Sequence, residues 1–178
     1  TLEKAYRLEQ LINEFFEITR FNLQTIVLNK EKINLLLMLQ QMTDEFYPIL
    51  APQRKQVSVN VPDGLTLWAD ADKLARVFNN ILKNAIAYSY EDSTIEISAK
   101  QQDKYIVITF TNRGNPIPPA KLETIFEKFY RLDSARSTNT GGAGLGLAIA
   151  KEIVNAHDGT ISVESNTEKT TFTVKLPC

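Results

Sequence analysis

With 178 residues, 43% of them hydrophobic and 23% charged, the chain is long enough for one packed domain plus a short extension, and wholesale disorder is excluded. A formal net charge of −1 removes any bulk electrostatic reason to expect nucleic acid or an anionic membrane as partner. The one cysteine, Cys178, rules out an intramolecular disulfide and fits a reducing compartment; no apolar run reaches the ~18–20 residues of a membrane span, and no secretory signal is visible.

The first predicted element is a helix. Leu2, Ala5, Leu8, Leu11, Ile12, Phe15, Phe16 and Ile18 recur at helical spacing. A lone helix would leave Phe15 and Phe16 uncovered, so it packs either on its own domain or as one arm of a helical hairpin. Beginning at Thr1 in mid-pattern, the chain reads as a piece of a longer protein. Thr25 to Asn34 reads as a strand and a turn, with Asn34 capping a helix over Leu35–Leu50. Val57, Val59 and Val61 alternate with polar residues as a strand does. Pro62-Asp63-Gly64 is a turn, with a short returning strand over Leu65–Trp68. Asp70 caps a helix from about Asp72 to Tyr88. Strands follow near Thr94–Lys100 and Tyr105–Thr111, then a Pro-rich turn and a short helix near Pro119–Phe126. A Gly-rich segment opens a helix near Leu145–His157, and strands Thr160–Glu164 and Thr170–Lys175 close the chain. Mixed elements with adjacent strand pairs predict a two-layer α/β sandwich, its mixed sheet covered by helices on one face.

Four segments carry chemistry, and each has a plainer reading when taken alone. Gly141-Gly142-Ala143-Gly144-Leu145-Gly146-Leu147 runs a glycine-rich turn into a helix. Glycines let backbone approach a ligand closely, and free N–H groups at a helix start attract an anion; a flexible loop capping a helix is the alternative. It lacks the Gly-Lys-Ser/Thr of a Walker loop and the preceding strand of a dinucleotide fingerprint. Asn80 and Asn84, four apart, share a helix face. Their amide oxygens could ligate Mg²⁺, or they could be solvated surface amides. Asn112-Arg113-Gly114-Asn115-Pro116-Ile117 at a strand end could equally be an ordinary turn. Phe126-Glu127-Lys128-Phe129-Tyr130-Arg131, with Arg136 after it, sets cations among aromatics and could place charge over phosphates or be a plain amphipathic helix end.

In this order, the four segments resemble the asparagine, first glycine, phenylalanine and second glycine boxes of sensor histidine kinases. Those kinases share the Bergerat ATP-binding fold with gyrase, the Hsp90 chaperones and MutL. The resemblance covers nearly the whole chain. It implies a protein-histidine kinase catalytic domain that binds ATP with Mg²⁺. By that resemblance Asn84 matches the Mg²⁺ ligand, and Asn80 contacts phosphate or metal-bound water. Lys83 reaches phosphate, and Tyr88 lies against adenine. Asn112, Gly114 and Ile117 match the adenine pocket, and Thr170 is a further candidate for binding the nucleotide. Arg131 matches the arginine near the γ-phosphate, with Lys128 beside it. Gly142, Gly144 and Gly146 match the hinge of a lid, packed by Leu145 and Leu147.

Three positions depart from the family pattern. Asn112 stands where an aspartate usually accepts a hydrogen bond from the adenine amino group; its amide oxygen can still accept, but its NH₂ cannot. Pro116 replaces a common glycine, and Ala87 replaces a common lysine. The phosphoacceptor histidine of the family is also missing. The only histidine, His157, falls in the turn after the last helix, where a structural role is expected. Residues 1–24 then match the second helix of the dimerisation hairpin, and residues 25–178 the catalytic domain.

Longer strings, Glu45-Phe46-Tyr47-Pro48 among them, are most similar to vancomycin-resistance sensor kinases. That likeness implies a cytoplasmic domain of a bacterial membrane sensor. Its partners would be a VanR-like response regulator, its own hairpin and a sister subunit, with no nucleic acid. The competing expectations are an ATPase of the same fold or a non-catalytic nucleotide-binding scaffold. Hydrolases of the fold carry a carboxylate on the asparagine helix, and none lies between Val77 and Tyr88.

Overall fold

The computed structural model describes residues 2–23, 26–127 and 146–178, with side chains described outside 14–23. Helix α1 (Leu2–Leu23) comes first. Strand β1 (Lys30–Asn34) leads into α2 (Leu35–Leu50). There the Asn34 carboxamide oxygen accepts from the Leu37 N–H at 3.1 Å, satisfying one of the orphan donors at the helix start. Leu35, Leu39, Met42, Phe46 and Leu50 are the buried face of α2, at the spacing of a helix stripe laid on a core.

Strands β2 (Gln56–Asn60) and β3 (Thr66–Asp70) precede α3 (Ala71–Tyr88). The long strands β4 (Thr94–Gln102) and β5 (Tyr105–Asn112) follow, then the short helix α4 (Pro119–Leu122). Helix α5 (Gly146–Ala156) and strands β6 (Thr160–Ser165) and β7 (Thr170–Pro177) complete the fold.

Five strands form a mixed sheet in the order β2-β4-β5-β7-β6. β2 runs parallel to β4, and the other neighbours are antiparallel. In β2, β4 and β6, more covered positions alternate with exposed ones, the signature of a sheet covered on one face. Helices α2, α3 and α5 supply that cover. Phe78 of α3 meets Phe110 of β5 with ring centroids 5.7 Å apart, and both rings are fully buried. The two-layer sandwich expected from the sequence is therefore observed.

One local expectation is corrected. The stretch after Pro62-Asp63-Gly64 does not return along β2; β3 pairs antiparallel with β1, Ile33 opposite Leu67, in a separate two-stranded sheet. Gly64 adopts φ +79, turning the chain away, and the Leu35 N–H donates to Leu65 O at 3.1 Å. That bond ties the β3 side to β1, leaving β2 to pair with β4. The predicted strand from Thr25 is also shorter, starting at Lys30, and the predicted helix at Pro119 ends at Leu122.

Helix α3 is anchored at both ends. At its start the Asp70 carboxylate accepts from the N–H groups of Lys73 (3.1 Å) and Asn29 (2.9 Å). The Asp70 N–H donates to His157 Nε2 at 3.0 Å, while His157 Nδ1 lies 2.9 Å from Ile153 O. Nε2 is thus an acceptor, so Nδ1 carries the hydrogen and donates to Ile153. His157 is 3% exposed and joins the start of α3 to the end of α5. At the other end of α3, Ile86 O accepts from the buried Lys55 ammonium and from Ser89 Oγ. Burial pushes the Lys55 pKa down, partly countered by the Glu91 carboxylate.

Candidate active site: a cavity between helix α3 and the sheet

A cavity of about 380 Å³ opens between the C-terminal half of α3 and the ends of the central strands. Asn84, Ala87 and Tyr88 of α3 form one wall, continued by Ser89 and Tyr90. Asn112 at the end of β5 and Asn115–Pro118 form the opposite side, with Thr170 and Phe172 of β7. The size and the apolar majority with a few polar groups suit a small-molecule site.

The polar groups lie where burial is deepest. Ser89, Asn112 and Thr170 are buried polar residues and all line the cavity. Asn112, 4% exposed, has no side-chain hydrogen-bond partner among the described residues. A buried carboxamide without a partner is costly, unless a ligand supplies one. Asn112 and Thr170 sit opposite each other across β5 and β7, and Ser165 lies opposite Thr170 across β6 and β7. Ser165 Oγ is 2.7 Å from Thr170 Oγ1 and accepts from the Ile117 N–H at 2.9 Å.

Gly114 fixes the meeting of α3 with the loop after β5. It bridges to Ser89, and the Tyr90 N–H donates to Arg113 O at 2.9 Å. A Cβ on Gly114 would fall 2.0 Å from Tyr88 O, a distance no side chain can occupy.

Toward the other end, Asn84 Nδ2 donates to Asn80 O at 2.9 Å, and Asn80 Nδ2 donates to Gly146 O at 3.0 Å. With Nδ2 engaged, Asn84 Oδ1 is the atom left for a ligand. An amide oxygen is a suitable hard donor for Mg²⁺, which takes one or two protein ligands and completes its shell with phosphate and water. Among the described residues, the first N–H groups of α5, beginning at Gly146, have no intrahelical acceptor, and such groups favour an anion.

The family description "Histidine kinase-, DNA gyrase B-, and HSP90-like ATPase" matches residues 69–178, from the end of β3 through β7. The chain belongs to this family. The sensor protein VanS of Enterococcus faecium is 63% identical over 177 residues, covering 99% of this chain and 46% of VanS. The sensor protein VanSC of Enterococcus gallinarum is 51% identical over 176 residues, covering 99% of this chain and 48% of VanSC. The chain thus spans about half the length of these curated relatives. The crystal structure of full-length ShkA with AMPPNP superposes with a TM-score of 0.88 at 24% identity, covering 98% of this chain and 36% of ShkA; it shares the fold.

Within this histidine kinase-like ATPase fold, five of the residues picked out from sequence meet on one cavity: Asn84, Tyr88, Asn112, Ile117 and Thr170. Gly114 stands behind the wall, and Asn80 reaches Gly146 rather than the cavity lining. Leu147 is on the buried face of α5. Lys83, about 100° around the helix from Asn84, is exposed and outside the lining. A Cβ on Gly146 would make only ordinary contacts with Asn80, 3.5 Å at the nearest, so close approach does not demand glycine there. Lys128, Arg131, Gly142, Gly144 and Leu145 lie outside the described residues.

Sequence reasoning missed Ser89, Tyr90, Asn115, Pro118 and Phe172 on the lining, and Ser165 behind Thr170. Phe172 was visible as an apolar strand residue, but its place on the cavity follows from the β5–β7 register, Phe110 opposite Phe172. Ser165 carried no local signal.

Proposed function

We propose that this chain is the ATP-binding catalytic domain of a sensor histidine kinase. It transfers the γ-phosphoryl group of ATP to a histidine on a helical hairpin, and from there the group passes to an aspartate of a response regulator. The observation that carries this reading is the cavity itself. Buried Asn112 and Thr170 offer hydrogen bonds to a base at one end, and Asn84 offers an oxygen ligand to the metal of a triphosphate at the other; the start of α5 is tied by Gly146 O to Asn80, one turn along α3 from Asn84. The AMPPNP complex of ShkA, of the same fold, supports a nucleotide in this place.

Each residue then has a physical task. Tyr88 and Ile117 sandwich the base. Asn84 Oδ1 would hold Mg²⁺, which would offset the charge of the phosphate oxygens. Lys128, Arg131 and the glycine-rich stretch around Gly142 and Gly144 close over the triphosphate and stabilise charge developing on the transferred group. His157 is not the acceptor: both ring nitrogens are engaged and the ring is buried. Helix α1 is the second arm of the hairpin, residues 1–24, which would bring the sister subunit. The similarity to VanS supports a parent among membrane sensors of vancomycin resistance, with a VanR-like regulator as partner.

Titration of ATP with and without Mg²⁺, followed by transfer from labelled ATP to a supplied hairpin carrying its histidine, tests this reading. Mg²⁺-dependent binding and label on the hairpin alone are expected. Sustained ADP release without a hairpin would favour the hydrolase class instead, and no nucleotide binding at all would leave only a scaffold.

A further inference from the structure

Among the cavity's polar side chains, the one suited to choosing a base is left undetermined. Asn112 has no partner among the described residues to fix its carboxamide. Rotated by half a turn, it presents oxygen or NH₂ to the cavity with nearly equal shape. It can therefore accept from a 6-amino purine or donate to a 6-oxo purine, and it discriminates weakly between them. A carboxylate at the same place could only accept.

Thr170 is in a different position. Its hydroxyl is 2.7 Å from Ser165 Oγ, and that oxygen already accepts the Ile117 N–H. If Thr170 donated to Ser165, the serine oxygen would accept twice, and its own hydrogen would have no acceptor among the described residues. If Ser165 donates to Thr170, the Ile117 N–H, the Ser165 hydroxyl and the Thr170 hydroxyl run head to tail, each bond polarising the next, and the Thr170 hydrogen is left for the cavity that Thr170 lines. The Ile117 N–H thereby sets the direction of a two-hydroxyl chain ending in a donor. A donor at that point matches the unprotonated ring N1 of a 6-amino purine. It opposes the N1–H of a 6-oxo purine, where two donors would face each other across a buried contact.

We infer that Ser165, which is not part of the cavity lining, is the positioning residue that gives this site its preference for adenine. It acts by holding the Thr170 hydroxyl as a donor, while Asn112 tolerates either class of purine. The inference rests on the nucleotide-binding reading above. It makes selectivity a property of the β6–β7 pairing, since Ser165 and Thr170 meet only because they are opposed in that register.

The test compares Kd for MgATP with Kd for MgITP, its 6-oxo counterpart, on the same 178-residue chain. A ratio of two affinities is insensitive to a general loss of folded protein, so a merely structural role for Ser165 would leave it unmoved. Ser165→Ala frees the Thr170 hydroxyl to turn and accept, and should lower the ATP-over-ITP preference by on the order of tenfold. Ser165→Thr keeps the hydroxyl and should keep the preference. Ser165→Cys keeps the volume with a weaker hydrogen bond and should fall between them, which preserves the test should alanine disturb folding. Asn112→Asp, which can only accept, should raise the preference instead. An unchanged ratio in both Ser165→Ala and Ser165→Cys, with ATP still bound, overturns the role of Ser165 alone. Absence of binding to the parent chain overturns the nucleotide reading and this inference with it.

Discussion

The two ends of the cavity are constructed by different means. At the end proposed for phosphate, Asn80 and Asn84 lie four residues apart on one helix and are linked by a side-chain bond along it. At the end proposed for the base, Ile117 and Ser165 are 48 residues apart and meet because the β5-β7-β6 register brings the loop after β5 to the end of β6. Helix geometry alone holds the first pair, whereas the second depends on the whole β5-β7-β6 register. Damage at the base end should therefore spread into the fold, and damage at the phosphate end should stay local to ligand binding.

The largest effect is expected from Gly114→Ala. Its Cβ cannot fit 2.0 Å from Tyr88 O, so α3 and the loop after β5 must part. A loss of about 3 kcal/mol in unfolding free energy is expected, together with loss of both ATP and adenosine binding, by denaturant titration and calorimetry. Stable protein that still binds adenosine would show that the base end is less dependent on the fold than this comparison holds.

Asn84→Ala should separate the ends. Mg²⁺-dependent ATP affinity should drop roughly 10- to 100-fold, by analogy with the loss of other groups that hold a metal, while adenosine, which carries no phosphate, binds as before. An equal loss for adenosine would place Asn84 at the base end. Unfolding should shift little, because the bond it loses, to Asn80 O, is only partly buried.

The smallest effect concerns the anchoring of α3, which both ends share. Burial tends to raise the Asp70 pKa, but the N–H groups of Asn29 and Lys73 and the Lys73 ammonium outweigh it and hold the carboxyl below its ordinary 3.8. A carboxyl lowered on folding adds stability that is complete above the unfolded value and is lost as pH falls through the folded one. Asp70→Asn, which loses the charge behind those bonds, should therefore be less stable than the parent by about 1 kcal/mol at neutral pH, with the difference shrinking below about pH 4. Thermal unfolding across pH 2–7 would show it; a pH-independent gap would mean that shape, not charge, anchors the helix.

This contrast also explains what could be read in the sequence. Asn80 and Asn84 were legible because helical spacing is regular, and the caps Asn34 and Asp70 because their chemistry is local, whereas Tyr88 came from resemblance. Strand positions were found, but partners were not: β3 was given to β2 and belongs to β1. The pairing depends on where Gly64 turns the chain and which carbonyl Leu35 reaches, neither of which is a periodic signal. Ser165 and Phe172 escaped for the same reason. Thr170, Asn112 and Ile117 came from resemblance, and the register then brings them together.

His157 has a practical consequence beyond the fold. It is the chain's only histidine, held between Asp70 and Ile153, so the protein gives a single set of imidazole resonances in a nuclear magnetic resonance spectrum. Those signals form an internal gauge of whether α3 and α5 remain joined. A substitution at the cavity that leaves them unshifted has altered the site without loosening the frame around it.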